Sequence, residues 1–228
     1  MTVPDIRQLE ADGRDIAYRR REGRAPTLVF LPGYASDMEG AKALALNAFA
    51  EARGLAMVRF DYSGTGSSGG RFEDGTLESW LDEALAVVDK LSDGPLIVIG
   101  SSMGGWIALH LAQRRPQRVK ALVGIAAAPD FSEWGAERNR DYLTPAFRES
   151  GRKLAVLERE IAVDCPVRLI HGEADGDVPL DIAFRTMRAL RSADVQLQII
   201  KGGGHRLSEP HEIDAILSTV AGLLEQIA

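Results

Sequence analysis

A single cysteine, Cys165, stands in a chain of 228 residues. With one thiol no disulfide can close within the chain, and nothing calls for an oxidising compartment. Cys165 precedes Pro166 at the start of an apolar run and has no nucleophile motif around it. It reads as a small buried hydrophobe. Basic residues are not in excess either. Lys and Arg number 27 against 33 Asp and Glu, a net charge of −6. That balance offers no electrostatic footprint for nucleic acid or for an anionic membrane surface. The densest basic run, Arg19-Arg20-Arg21 with Arg24, is interrupted by Glu22 and reads as a solvated strand end. No apolar run approaches the roughly 20 residues of a membrane span, so no stable membrane insertion is expected. The opening Met1-Thr2-Val3-Pro4-Asp5 lacks the basic and apolar regions of a secretory signal, and a cytoplasmic location is the expectation. Histidines are also scarce, four in all, which makes a search for a catalytic base one of elimination.

What is present suits one sizeable domain: 45% hydrophobic and 26% charged residues can bury a full core. Its centre is Gly100-Ser101-Ser102-Met103-Gly104, a Gly-x-Ser-x-Gly pattern. Before it runs the apolar Pro95–Ile99; after it, Ile107 and Leu111 lie four apart, as on one helix face. Strand, sharp turn and helix would lift Ser102 to the top of a sheet in a strained conformation.

The rest of the chain alternates strand and helix patterns. Ile6–Glu10 and Asp15–Arg20 flank the hairpin signal Asp12-Gly13. Thr27–Leu31 is a continuous apolar run, as for a strand buried on both faces. Ser36-x-x-Glu39 has capping-box spacing before a helix ending at Arg53, and Gly54 closes it. Leu55–Phe60 is the next strand. Residues 61–70 contain a formal Gly-x-Gly-x-x-Gly, but no helix pattern begins at these glycines, as a dinucleotide site requires. The following helix starts at Thr76, with Leu77, Leu81, Leu85 and Val88 inward. Val119–Ile125 is a further strand. Residues 130–163 lose the strand pattern and mix Phe131, Trp134, Tyr142 and Phe147 with many charges, as a lid insertion does. Pro166–Ile170, the helix Leu180–Leu190 and the strand Val195–Ile200 follow. Ser208 can cap a last helix with Ile213, Ile216, Leu217, Val220 and Leu224 inward. The alternation predicts one domain over residues 1–228, a mainly parallel sheet with helices on both faces, and a site at the carboxyl ends of the strands.

A serine hydroxyl needs a neighbouring base to become a nucleophile. His110 lies mid-helix, His171 in a strand end and His211 in the first turn of the last helix. His205, in a glycine-rich loop after the last strand, is left as the base. Glu173, Asp175, Asp177 and Asp181 follow the strand ending at Ile170 and are candidates for the carboxylate that orients it; Asp130 is an outside choice. Two backbone donors complete the set: the Met103 N–H after the nucleophile, and the Tyr34 N–H in the turn after Thr27–Leu31.

With these residues placed, the chain resembles a serine hydrolase of the α/β-hydrolase superfamily along essentially its whole length. Leu31-Pro32-Gly33-Tyr34 matches the oxyanion turn, with Pro where many members have His. Residues 61–68 match the second glycine loop. His171-Gly172-Glu173-Ala174-Asp175-Gly176-Asp177-Val178-Pro179 matches the acid loop, and this resemblance puts the acid at Asp175. Leu31–Tyr34, Arg59–Gly64, Gly100–Trp106 and Cys165–Gly172 are similar, more narrowly, to the superfamily's branch of mitochondrial palmitoyl-protein thioesterases and acyl-glucuronide esterases. The resemblance implies an α/β-hydrolase fold and hydrolysis of an ester or thioester through an acyl-enzyme on Ser102. It implies no metal or organic cofactor, and a small-molecule or acylated-protein substrate. Arg138, Arg140, Arg148 and Arg152 are candidates to meet an anionic substrate. Acyl transfer, C–C bond hydrolysis on the same triad, or ligand binding without chemistry are the competing readings.

Overall fold

The apolar runs become strands, and the strands form one sheet. In a computed structural model, residues 4–135 and 142–227 are described. Strands β1 (Arg7–Ala11) and β2 (Arg14–Arg21) make the expected hairpin. Asp12 and Gly13 both take positive φ, as a type I′ turn demands. The other strands are β3 (Arg24–Leu31), β4 (Leu55–Phe60), β5 (Leu96–Ser101), β6 (Val119–Ile125), β7 (Val167–Gly172) and β8 (Val195–Ile200). Their order is β1-β2-β4-β3-β5-β6-β7-β8. β2 runs antiparallel to β1 and β4, and every later pairing is parallel.

Side chains of the central strands alternate between two cores, because successive residues point to opposite faces. Leu28, Phe30, Ile97, Ile99 and Val123 pack under α1 (Ala41–Arg53) and under the terminal helix (Pro210–Gln226). Val29, Leu31, Val98 and Leu122 face α2 (Leu77–Leu91) and α3 (Met103–Arg114). Helix α2 begins as the sequence predicts. The Thr76 hydroxyl accepts from the Ser79 amide, and the Ser79 hydroxyl accepts from the Thr76 amide. The glycines of residues 61–70 start no helix. Trp80, not anticipated in the stripe, is fully buried, whereas Leu85 is half-buried.

Two expected caps are replaced. Helix α1 starts at Ala41 with Gly40 at its N-cap and no side-chain cap. Glu39 turns away to meet Arg19 at 2.6 Å and the buried Arg59 at 2.9 Å. That ion-paired cluster also corrects the reading of Arg19–Arg21 as solvated: Arg21 pairs with Glu51, and the side chains of Arg19 and Arg21 are largely covered. At the other end Glu209, not Ser208, caps the terminal helix, in a reciprocal box with Glu212. Pro210 at the first helical position needs no amide partner.

The segment expected to be an insertion is anchored tightly on its return side. It holds α4 (Phe131–Trp134) and α5 (Pro145–Lys153). Phe147 is fully buried, the Ser150 hydroxyl accepts from the Glu78 amide, and the Asp130 carboxylate takes the amides of Val156 and Leu157. Trp106 and His110, one turn apart on α3, both bond the Leu154 carbonyl, at 3.0 and 2.8 Å. After β7 comes α6 (Leu180–Ala189), and the terminal helix is α7.

Candidate active site

Ser102 lies between the end of β5 and the start of α3, with φ 54° and ψ −119°. A non-glycine residue there is strained by about 1–3 kcal/mol and has to be held. Its amide donates to the Ile125 carbonyl at 2.9 Å. Its own carbonyl accepts from Gly105 at 2.9 Å and from Ala128 at 3.0 Å. The glycines of the motif are required by close approach. A Cβ at Gly100 would overlap the Gly104 carbonyl, and one at Gly104 would overlap the Leu31 carbonyl. Helix α3 therefore lies directly on β5 and on the end of β3, and Gly33 comes within 3.3 Å of the Ser102 Cβ measured from an ideal Cβ position.

The acid loop and the histidine loop are tied to each other behind Ser102. The Ala174 amide donates to the Gly203 carbonyl at 2.9 Å. Asp175 Oδ1 accepts the amides of Asp177 and Val178, at 2.9 and 2.8 Å. Asp175 Oδ2 lies 2.9 Å from His205 Nδ1, and His205 Nε2 lies 3.0 Å from Ser102 Oγ. An ionised carboxylate only accepts, so Nδ1 carries the proton and Nε2 is left to accept from the serine hydroxyl. The Asp175 side chain is 1% exposed. Burial alone would raise its carboxyl, but the His205 bond and the loop amides outweigh burial and hold it below the ordinary carboxylate range. Among the alternatives, Asp177 is exposed at the cleft rim, Glu173 accepts from the Gly202 amide, and Asp181 sits in the first turn of α6. Asp130 holds the insertion instead. His171 is buried, bonds the Val178 carbonyl at 3.0 Å and lies 3.5 Å from Asp175 Oδ2. It backs Asp175, and its signal in the sequence is its place four residues before it.

Ser102 and His205 open into a cleft of about 630 Å³. Phe131, Trp134 and Tyr142 form one wall; Ser36, Lys42 and Arg206 lie at another. Tyr34 also lines it, in the turn after β3, and Met103 supplies the first amide of α3, which has no carbonyl one turn back to bond. Of the arginines expected to meet an anion, Arg138 and Arg140 lie outside the described residues. Arg148 and Arg152 do not line the cleft, and Arg152 pairs with Glu133 and Glu149 at the surface. The cations that do line it, Lys42 and Arg206, carried no motif. One atom each of Asp175, Asp177 and His205 fall within 4.8 Å of one another. Both oxygens of Asp175 and both nitrogens of His205 are already engaged, so this cluster is the acid loop wrapped on an imidazole, not a preformed metal centre. Cys165 is half-buried, and burial pushes its thiol up to about 11.

Comparison with known proteins places this geometry in a family. A model of the alpha/beta hydrolase fold matches residues 26–149. The human mitochondrial palmitoyl-protein thioesterase ABHD10 is 34% identical, over 94% of this chain and 78% of its own length. The structure of mouse alpha/beta hydrolase domain-containing protein 10 superposes with a TM-score of 0.93 at 33% identity, covering 98% of this chain and 100% of that one. A putative hydrolase from Agrobacterium vitis S4 superposes with a TM-score of 0.89 at 36% identity, over 96% and 98% of the two chains. The mitochondrial names of these sequence relatives overturn the cytoplasmic expectation. A compartment is set by a signal that sorting receptors read, and the composition and patterning of a folded domain were no guide to it. On the family model, the near-complete coverage and the shared eight-stranded architecture, the chain belongs to the alpha/beta hydrolase family and is a hydrolase.

Proposed function

We propose that this hydrolase cleaves carboxylic esters or thioesters through an acyl-enzyme on Ser102. The observation that carries the reading is the continuous relay from Ser102 Oγ to His205 Nε2 at 3.0 Å and from His205 Nδ1 to Asp175 at 2.9 Å. His205 takes the hydroxyl proton as Oγ attacks the acyl carbon, and Asp175 stabilises the imidazolium. The carbonyl oxygen becomes an oxyanion that the amides of Tyr34 and Met103 receive. Its collapse expels the alcohol or thiol, which takes the proton from His205. Water, deprotonated by the same imidazole, then attacks the acyl-enzyme and releases the acid. Removing one oxyanion donor typically costs about 10²–10³ in turnover, and these two belong to the backbone.

The substrate is a small-molecule or acylated-protein ester or thioester. The aromatic wall of Phe131, Trp134 and Tyr142 suits an apolar acyl group. The name of the human relative, a palmitoyl-protein thioesterase, supports including acyl thioesters. We take residues 1–228 as one domain, with 130–163 an insertion whose Phe131, Trp134 and Tyr142 line the cleft. No step needs a metal or an organic cofactor. The test is hydrolysis of short and long p-nitrophenyl esters and acyl thioesters by the wild type and by Ser102→Ala, with fluorophosphonate labelling of Ser102. Loss of turnover and of labelling in the variant is expected; full activity in Ser102→Ala refutes the proposal.

A further inference from the structure

The turn that offers the Tyr34 amide is closed by a bond from the Ser36 amide to the Gly33 carbonyl, at 3.2 Å. Tyr34 and Ala35 are its central residues. Ala35 has φ 54°, a conformation that glycine adopts freely and alanine resists. Such a turn persists only where its surroundings over-determine it. Ala35 is exposed and cannot supply that hold. Tyr34 can. Its ring meets five others edge-on: Phe72 at 4.9 Å, Tyr142 at 4.8 Å, Phe147 at 5.1 Å, Trp80 at 5.7 Å and Phe131 at 5.8 Å. These rings come from the short 3-10 turn Phe72–Asp74, α2, α4, α5 and the segment at Tyr142, so the ring is fixed from several independent elements. Its hydroxyl donates to the Tyr142 carbonyl at 3.1 Å. Burial pushes the phenol up to about 12, and it stays a donor over the working range of pH.

We propose that the Tyr34 side chain is a positioning residue, clamping a strained turn so that the Tyr34 amide stays aimed at the oxyanion. It acts through its own main chain, not by binding substrate. The inference rests on the acyl-enzyme reading of Ser102 and goes beyond it, because that reading uses only the Tyr34 amide. Removing the clamp frees the Tyr34 backbone and lets Ala35 leave positive φ, so that the turn relaxes as a unit and the Gly33–Tyr34 peptide, which carries the donor N–H, loses its fixed aim. Turnover is then lost while ground-state binding is kept.

The test compares kcat and KM for a short p-nitrophenyl ester. Tyr34→Leu is expected to lower kcat by about 10–100-fold, short of complete loss of one donor, with KM changed by less than about 2-fold. Adding Ala35→Gly restores most of that kcat, because glycine takes positive φ without a clamp. Tyr34→Phe keeps the rings packed, loses only the bond to Tyr142, and is expected to lower kcat by about 3-fold, with KM unchanged. It decides the matter should Tyr34→Leu not fold. Wild-type kcat in either folded variant, a loss confined to KM, or no rescue by Ala35→Gly overturns the proposal. Ser102→Ala serves as the reference. If it is inactive while the Tyr34 variants match the wild type, the clamp alone is wrong. If it is fully active, the reading of the site is wrong.

Discussion

His110 ties stability to pH through its burial on the helix that follows Ser102. The imidazole is 6% exposed, and its Nε2 donates to the Leu154 carbonyl at 2.8 Å. Burial pushes it from an ordinary 6.5 down to about 4; the Leu154 bond opposes this, and Arg114 and Arg159 add to it. The fold thus binds the neutral ring. Its contribution is fully present above 6.5 and is lost as pH falls towards 4, because the unfolded chain gains a proton that the fold refuses. At about 1.4 kcal/mol per pH unit, the gap sets a ceiling of about 3 kcal/mol, of which about 2 kcal/mol is lost at pH 5. In a domain of this size that loss lowers Tm by about 4–8 °C. His110→Gln keeps a donor for Leu154 and cannot titrate. Urea denaturation of both proteins at about pH 7.5 and about pH 5 isolates the effect, since carboxylates common to both cancel. The wild type should lose about 2 kcal/mol relative to the variant between the two conditions. A stability difference that stays constant across them refutes the reasoning.

Other perturbations separate the chemistry from the scaffold. Asp175→Asn removes the charge that fixes the His205 tautomer, and kcat should fall by about 10³–10⁴ with KM little changed; steady-state kinetics on a p-nitrophenyl ester reads it. Gly104→Ala drives a methyl into the Leu31 carbonyl and should cost about 1–3 kcal/mol in chemical denaturation. Esterase activity should go with it, because the Tyr34 turn starts from that strand end. Asp130→Ala leaves the buried amides of Val156 and Leu157 without their acceptor. A loss of about 1–3 kcal/mol is expected, with hydrogen exchange accelerated first around residues 154–157.

The parts of this fold that depend on neighbours in the chain were legible in the sequence. Thr76 caps α2 where its own helix pattern begins, and Val119–Ile125 is apolar enough to be a strand whatever surrounds it. Ser102 and His205 could be reached from a five-residue pattern and from a count of histidines. Asp175 needed family resemblance, since Glu173, Asp175 and Asp177 share one short loop and only the fold decides which reaches His205 Nδ1. What escaped are contacts between distant residues. Ser36-x-x-Glu39 has the spacing of a cap, yet Glu39 is drawn off by Arg19 and Arg59, each 20 residues away in sequence. Phe147 and Trp134 sit in one composition-biased stretch, but the first is core and the second cleft wall. Lys42 and Arg206 belong to no motif at all.

The doubly fastened insertion divides the chain in an unexpected way. Asp130 ties its two sides to each other through Val156 and Leu157, and the shared Leu154 carbonyl holds its return side to α3, by bonds that do not run through the stretch between Gly135 and Tyr142. Cutting the chain there would leave Ser102 and both backbone donors on one fragment, and Asp175 with His205 on the other. Neither piece holds a complete relay, while the β6–β7 pairing and the aromatic contacts of Tyr34 give them a broad surface on which to meet. Co-expressed halves should therefore complement each other, and ester hydrolysis would report their reassembly.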